Sequence, residues 1–177
     1  MKPMTNEELV KIMSEATLEV FGTMLGLQVH PGPARHEKPS TESVDGVLVV
    51  VGIAGHWTGS GRIWCNPAFA CRLSANLTAT PAEAVDEEVL DAMGEIGNMI
   101  IGNIKTSIEE KVGRLGLSVP TVIYGRNFQT RSKVETEWIV LDFDSAGDRF
   151  EVSFCLEPNH APPVHHLHHP TGGRAIA

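Results

Sequence analysis

Asp91-Ala-Met-Gly-Glu95-Ile-Gly-Asn98-Met-Ile-Ile-Gly102 is the stretch on which the fold of this chain turns. It lies in a longer segment whose apolar residues, Val89, Met93, Ile96, Ile100, Ile104 and Ile108, recur at helical spacing. The capping box Thr80-Pro81-Ala82-Glu83, with proline at the first helical position, predicts a helix starting there and running to about Gly113, with room for a break near Asp86. On that helix Asp91, Glu95, Asn98 and Gly102 fall at i, i+4, i+7 and i+11, on one face opposite the apolar stripe. Gly94, Gly97 and Gly102 sit in the same stretch, and each costs roughly 1 kcal/mol relative to alanine inside a helix. Close packing against another helix, through Gly22 and Gly26, is one reason for them. Close approach of a partner is the other.

The stretch has an echo. Glu15-Ala-Thr-Leu-Glu19-Val-Phe-Gly22-Thr-Met-Leu-Gly26 aligns with it: Ala, Glu and the last Gly coincide, acid stands opposite acid, and Val opposite Ile. The match is weak, yet it suggests two related halves, each a helix with its own strand pair. Gly22 occupies the place of Asn98, so only the second copy carries an amide.

Outward from these helices the elements follow. Thr5 to Gly26 reads as a helix, capped by Thr5 with Glu8 as its capping-box partner. His30-Pro31-Gly32-Pro33 and the polar stretch to Ser43 read as a loop. Val44 to Trp64 reads as a β-hairpin turning at Gly59-Ser60-Gly61, and Pro67 to Leu77 as a short helix. Gly116 and Pro120 lead into a strand at Val122-Ile123-Tyr124. A second hairpin runs from Val134 to Asp142 and from Phe150 to Leu156, around Ser145-Ala146-Gly147-Asp148. Adjacent strand pairs, rather than strands alternating with helices, predict an α+β fold: two layers, an antiparallel sheet packed by two long helices, with a weak internal repeat. Residues 1–157 are expected to form one domain and 158–177 a tail rich in proline and histidine.

The chain has 177 residues, 42% hydrophobic and 20% charged, enough for one domain with its own core. A formal net charge of −8 argues against nucleic acid or an anionic membrane as partner. Cys65, Cys71 and Cys155 form no Cys-x-x-Cys pair, and neither a disulfide framework nor a zinc knuckle is expected. With no signal-peptide h-region and no apolar run of membrane length, a cytoplasmic protein is expected. The tail histidines His160, His165, His166, His168 and His169 could hold a transition metal. They lack acidic or cysteine companions, and no metal site is assigned.

Glu-x-x-Asn alone arises by chance in many chains, and a solvated helix face is its default reading. Asparagine argues against that default, because it is a poor residue inside a helix. The spacing Asp91, Glu95, Asn98, followed 22 residues later by Pro120, resembles the signature of the CheC, CheX and FliY family of chemotaxis phosphatases, the proline arriving about one residue early. Residues 16–25 resemble the opening helix of the CheX branch, which also carries a single Glu-x-x-Asn. The resemblance implies hydrolysis of the aspartyl phosphate of a CheY-like response regulator. It implies that Asn98 orients the attacking water and Glu95 pairs with the receiver's lysine. Asp91, Gly102 and Pro120 would belong to the partner-binding surface. The chain would have no cofactor of its own, the receiver supplying Mg²⁺. A homodimer is implied too, and an exposed strand in the second hairpin could extend the sheet across two subunits. The alternative is a module that docks on receivers or flagellar-switch proteins without hydrolysis.

This division of labour is physically reasonable. Phosphoryl transfer proceeds through a loose transition state, so positioning does most of the catalysis. An amide is no base near neutral pH, but it can hold a water in line. A carboxylate in an interface gives orientation through a charge-assisted bond.

Overall fold

A computed structural model describes residues 4–38, 43–130 and 136–159. Helix α1 (Asn6–Thr23) begins as its sequence dictates: Thr5 Oγ1 accepts from the Glu8 N–H at 3.2 Å, and the Glu8 carboxylate accepts from the Thr5 N–H at 3.1 Å. Helix α2 (Pro67–Thr78) is capped by Asn66, whose side chain accepts from the Phe69 N–H. Helix α3 (Glu87–Val112) starts later than its sequence suggests. Asp86, not Thr80, caps it, its carboxylate accepting from the Val89 N–H at 3.0 Å. Ala82 and Val85 pack against the core in the segment before it, which keeps those residues out of the helix.

The described residues contain seven strands in one sheet. They are β1 (His30–Glu37), β2 (Ser43–Gly55), β3 (Trp57–Cys65), β4 (Leu115–Leu117), β5 (Thr121–Gln129), β6 (Trp138–Ser145) and β7 (Asp148–Pro158). All pairings are antiparallel, in the order β1-β6-β7-β3-β2, with β5 and β4 sharing the outer edge of β2. Exchanging β1 for β5, β2 for β6 and β3 for β7 turns the sequence β1-β6-β7-β3-β2-β5 into its own reverse. The echo between the two long helices is thus present in the topology. Each half keeps its own hairpin and lends its first strand to the hairpin of the other half.

Three expectations are corrected here. The stretch from His30 is a strand, not a loop; its prolines are tolerated because β1 is an edge strand whose register shifts between Pro31 and Ala34. Arg35 pins it, through ion pairs to Asp142 on β6 and Glu151 on β7. Second, the first hairpin turns at Gly55-His56, and Gly59-Ser60-Gly61 lies within β3. Glycine is needed at 59 for close approach: a Cβ there would lie 2.0 Å from the Cys155 carbonyl oxygen of β7. Third, the second hairpin is interior, β6 lying against β1 and β7 against β3, so it offers no free strand. Among the described residues the free edges are those of β1 and of β5 with β4. Val134 and the tail histidines lie outside the described residues.

All three helices pack on one face of the sheet. Val89, Met93, Ile96, Ile100, Ile104 and Ile108 of α3 are completely buried against Val47, Val49 and Val51 of β2 and their neighbours. Phe21 of α1, Phe69 of α2 and Phe143 of β6 gather around Phe150 of β7, with ring centroids 4.6 Å (Phe21), 5.1 Å (Phe143) and 5.5 Å (Phe69) from it. Helices α1 and α3 run antiparallel, since Glu8 pairs with Lys111 while Glu19 meets Asn103.

Candidate functional site

The apolar stripe of α3 faces the sheet, so its opposite side is held outward by the whole core. Asp91, Glu95 and Asn98 are exposed on that side, and Gly102 is half-buried at its far end. At about 1.5 Å rise per residue, Asp91 to Gly102 spans roughly 16 Å, and Glu95 and Asn98 are neighbours about one turn apart. No hydrogen bond or ion pair within the described residues engages the side chains of Asp91, Glu95 or Asn98. Some acids on the two long helices are engaged, Glu8 with Lys111, Glu15 with Lys11 and Glu109 with Lys105, whereas Glu7, Glu87, Glu88 and Glu110 are as unpaired as Asp91 and Glu95. A carboxylate and an amide are therefore displayed free, on a rigid element.

The first copy of the motif is spent differently. Glu19 accepts a hydrogen bond from Asn103 Nδ2 at 3.4 Å, and Gly22 has nothing within 4 Å of where a Cβ would be. Gly22 and Gly26 thus do not receive the glycines of α3, and that proposed helix–helix contact is absent. Gly94 and Gly97 of α3 face the sheet instead. A Cβ on Gly97 would come 2.5 Å from Val49 Cγ1, so the helix lies directly on β2 there. Gly94 meets β5, its would-be Cβ lying 3.4 Å from Val122 Cγ2 and 3.9 Å from Pro120 Cβ.

Pro120 is in this way brought beside the turn that carries Asp91, Glu95 and Asn98. Leu117 lies 4.0 Å from a would-be Cβ on Gly102. Residues 117–120 therefore run alongside α3, from Gly102 back to Gly94, and wall one flank of the acid–amide face. Helix α1 meets α3 beyond that face, at Asn103 and Lys111. The sequence signal for this flank was Pro120 alone; the part played by residues 117–119 was invisible without the strand β4.

A cavity of about 330 Å³ lies elsewhere. It is lined by Leu48, Arg62, Trp64, Trp138, Val140 and Ser153 among others, all alternating with core residues, so it opens on the sheet face away from the helices. Arg62 stacks there over the Trp138 ring at 3.9 Å, and burial lowers its pKa. No group of three or more His, Cys, Asp or Glu among the described residues is placed to hold a metal ion. Among the described residues no helix is long and apolar enough to cross a membrane.

The helix-covered antiparallel sheet is an architecture that this chain shares with a class of chemotaxis proteins. The chemotaxis protein CheX of Desulfovibrio desulfuricans superposes with a TM-score of 0.76 at 29% identity, over 85% of this chain and 99% of that one. The model of the family described as chemotaxis phosphatase CheX matches residues 47–144, and the chain belongs to that family. The CheY-P phosphatase CheX of Thermotoga maritima is 28% identical over 129 residues, 70% of this chain and 80% of that protein. A CheX solved in complex with CheY, BeF₃ and Mg²⁺, from Borrelia burgdorferi, is 25% identical with a TM-score of 0.71, over 84% of this chain and 97% of that one.

Proposed function

We propose that this chain accelerates hydrolysis of the aspartyl phosphate of a CheY-like receiver, and that Glu95 and Asn98 carry the activity. The supporting observation is the unpaired, exposed acid–amide pair on the rigid outer face of α3. Asn98 enters the receiver's active site and holds a water in line with the phosphorus, its amide oxygen accepting one water proton in a hydrogen bond. The receiver contributes the phosphoaspartate and its Mg²⁺, as the presence of Mg²⁺ in the Borrelia CheX–CheY complex supports. Glu95 pairs with the receiver's active-site lysine and fixes the docking angle. Asp91, Gly102 and Pro120 belong to the same docking surface, and the working assembly is a homodimer. The two helix copies divide their labour, because Gly22 offers no amide and Glu19 is already engaged by Asn103.

The test follows decay of a phosphorylated CheY-like receiver with wild type and with Asn98→Ala. Loss of a positioned water should slow the stimulated decay by about 10² or more. Equal decay with both proteins would remove Asn98 from the mechanism. Binding of the phosphorylated receiver by wild type without faster decay would leave only a docking module. A monomeric mass by sedimentation would remove the homodimer.

A further inference from the structure

Val119 is the most exposed of the large hydrophobic side chains of the described residues, at 85%, against 39% for Leu18 and 50% for Met24 and Tyr124. A single exposed valine is ordinarily unremarked. This one is held in place. The Ser118 N–H donates to the Gly52 carbonyl at 2.9 Å, and Ser118 Oγ accepts from the Gly52 N–H at 2.8 Å. The Ser118 hydroxyl donates in turn to the Val119 carbonyl at 3.0 Å. On the other side Pro120 has its φ fixed by its ring and packs at Gly94. The backbone on both sides of Val119 is tied down while its side chain touches almost nothing of its own chain.

The place matters as much as the exposure. Val119 sits next to Pro120, on the flank of the turn that carries Asp91, Glu95 and Asn98, with Leu117 further along beside Gly102. An apolar side chain on a pre-ordered loop, adjoining a charged and polar pair, is how a docking surface combines affinity with orientation. Its occupant is then the body that meets Glu95 and Asn98.

We infer that Val119 is an apolar docking anchor for the phosphorylated receiver, setting affinity while Glu95 and Asn98 act at the phosphoryl group; this rests on the function proposed above. Steady-state dephosphorylation is measured for wild type, Val119→Asp, Val119→Thr and Val119→Ile, with Asn98→Ala alongside. Val119→Asp should raise KM about tenfold with kcat retained. The near-isosteric Val119→Thr should raise it less, which separates loss of apolar contact from added charge, and Val119→Ile should match wild type. Melting temperatures should be unchanged across the series, because the side chain leaves its own core alone. Unchanged KM in Val119→Asp, with Asn98→Ala inactive, overturns the anchor and leaves the phosphatase standing. Full activity in Asn98→Ala overturns the proposed chemistry instead. Titration of a BeF₃-activated receiver then decides the anchor by itself: weaker binding by Val119→Asp supports it, equal binding refutes it.

Discussion

Substituting Gly97 by alanine pits two effects against each other. Alanine is favoured over glycine inside a helix by about 1 kcal/mol. Its Cβ would lie 2.5 Å from Val49 Cγ1 and 3.3 Å from Val49 Cβ. Carbon atoms rest at about 3.5–4.0 Å, so the first overlap is about 1 Å. Val49 is 1% exposed, and its branched side chain has little rotamer freedom, so helix or strand must move. Overpacking of this kind costs about 1–3 kcal/mol, which leaves Gly97→Ala between neutral and about 2 kcal/mol destabilised. Gly102→Ala is the internal control: its Cβ meets only Leu117 Cδ1 at 4.0 Å, so helix propensity acts alone and stability rises by about 1 kcal/mol. Urea denaturation of both variants, read at constant m-value, compares them directly. Adding Val49→Ala should relieve the Gly97→Ala strain beyond additivity. If Gly97→Ala and Gly102→Ala stabilise equally, the contact between α3 and β2 does not explain Gly97.

Removal of the true helix cap in Asp86→Ala should cost about 1 kcal/mol, whereas Thr80→Ala should change stability by less than about 0.5 kcal/mol, both by urea denaturation. Burial pushes the Cys65 thiol up to about 12 and the Cys155 thiol up to about 11, so neither should react with a thiol-specific disulfide reagent at pH 8 until the protein is unfolded. The Leu115 N–H, and then Lys105, hold the Glu109 carboxyl below its ordinary value of 4.5. Its folded pKa is depressed, so its stabilisation is present above that ordinary value and is lost as pH falls through the folded pKa. Glu109→Gln should therefore flatten the acid limb of a plot of stability against pH.

Local signals were legible where they were also the strongest forces acting on the segment. The Thr5–Glu8 capping box and the apolar stripe of α3 each found the partner their pattern implies, so α1 and the acid–amide face could be read directly. The remaining elements depended on distant chain. Pro31 and Pro33 argue for a loop until β6 supplies an edge that tolerates them. Gly59 and Gly61 look like a turn until β7 and Ile101 are seen to press on them. The Thr80 box lost to Asp86 because Ala82 and Val85 were drawn into the core. In the site, Glu95 and Asn98 were accessible to periodicity, but the nearness of Pro120 to Gly94 depends on β5 pairing with β2, which no local pattern states.

The exchange of first strands between the halves bears on how this chain can change over evolutionary time. Strand β1 of the first half completes the hairpin of the second, and β5 of the second completes the hairpin of the first. The α1 copy carries no amide at Gly22, yet its half cannot be discarded, since deleting it would strip β6 of β1 and β7 of β3. Under the function proposed for α3, one working face on a doubled scaffold is a stable end point: the other copy is kept for the sheet it completes, and its surface is left free to drift.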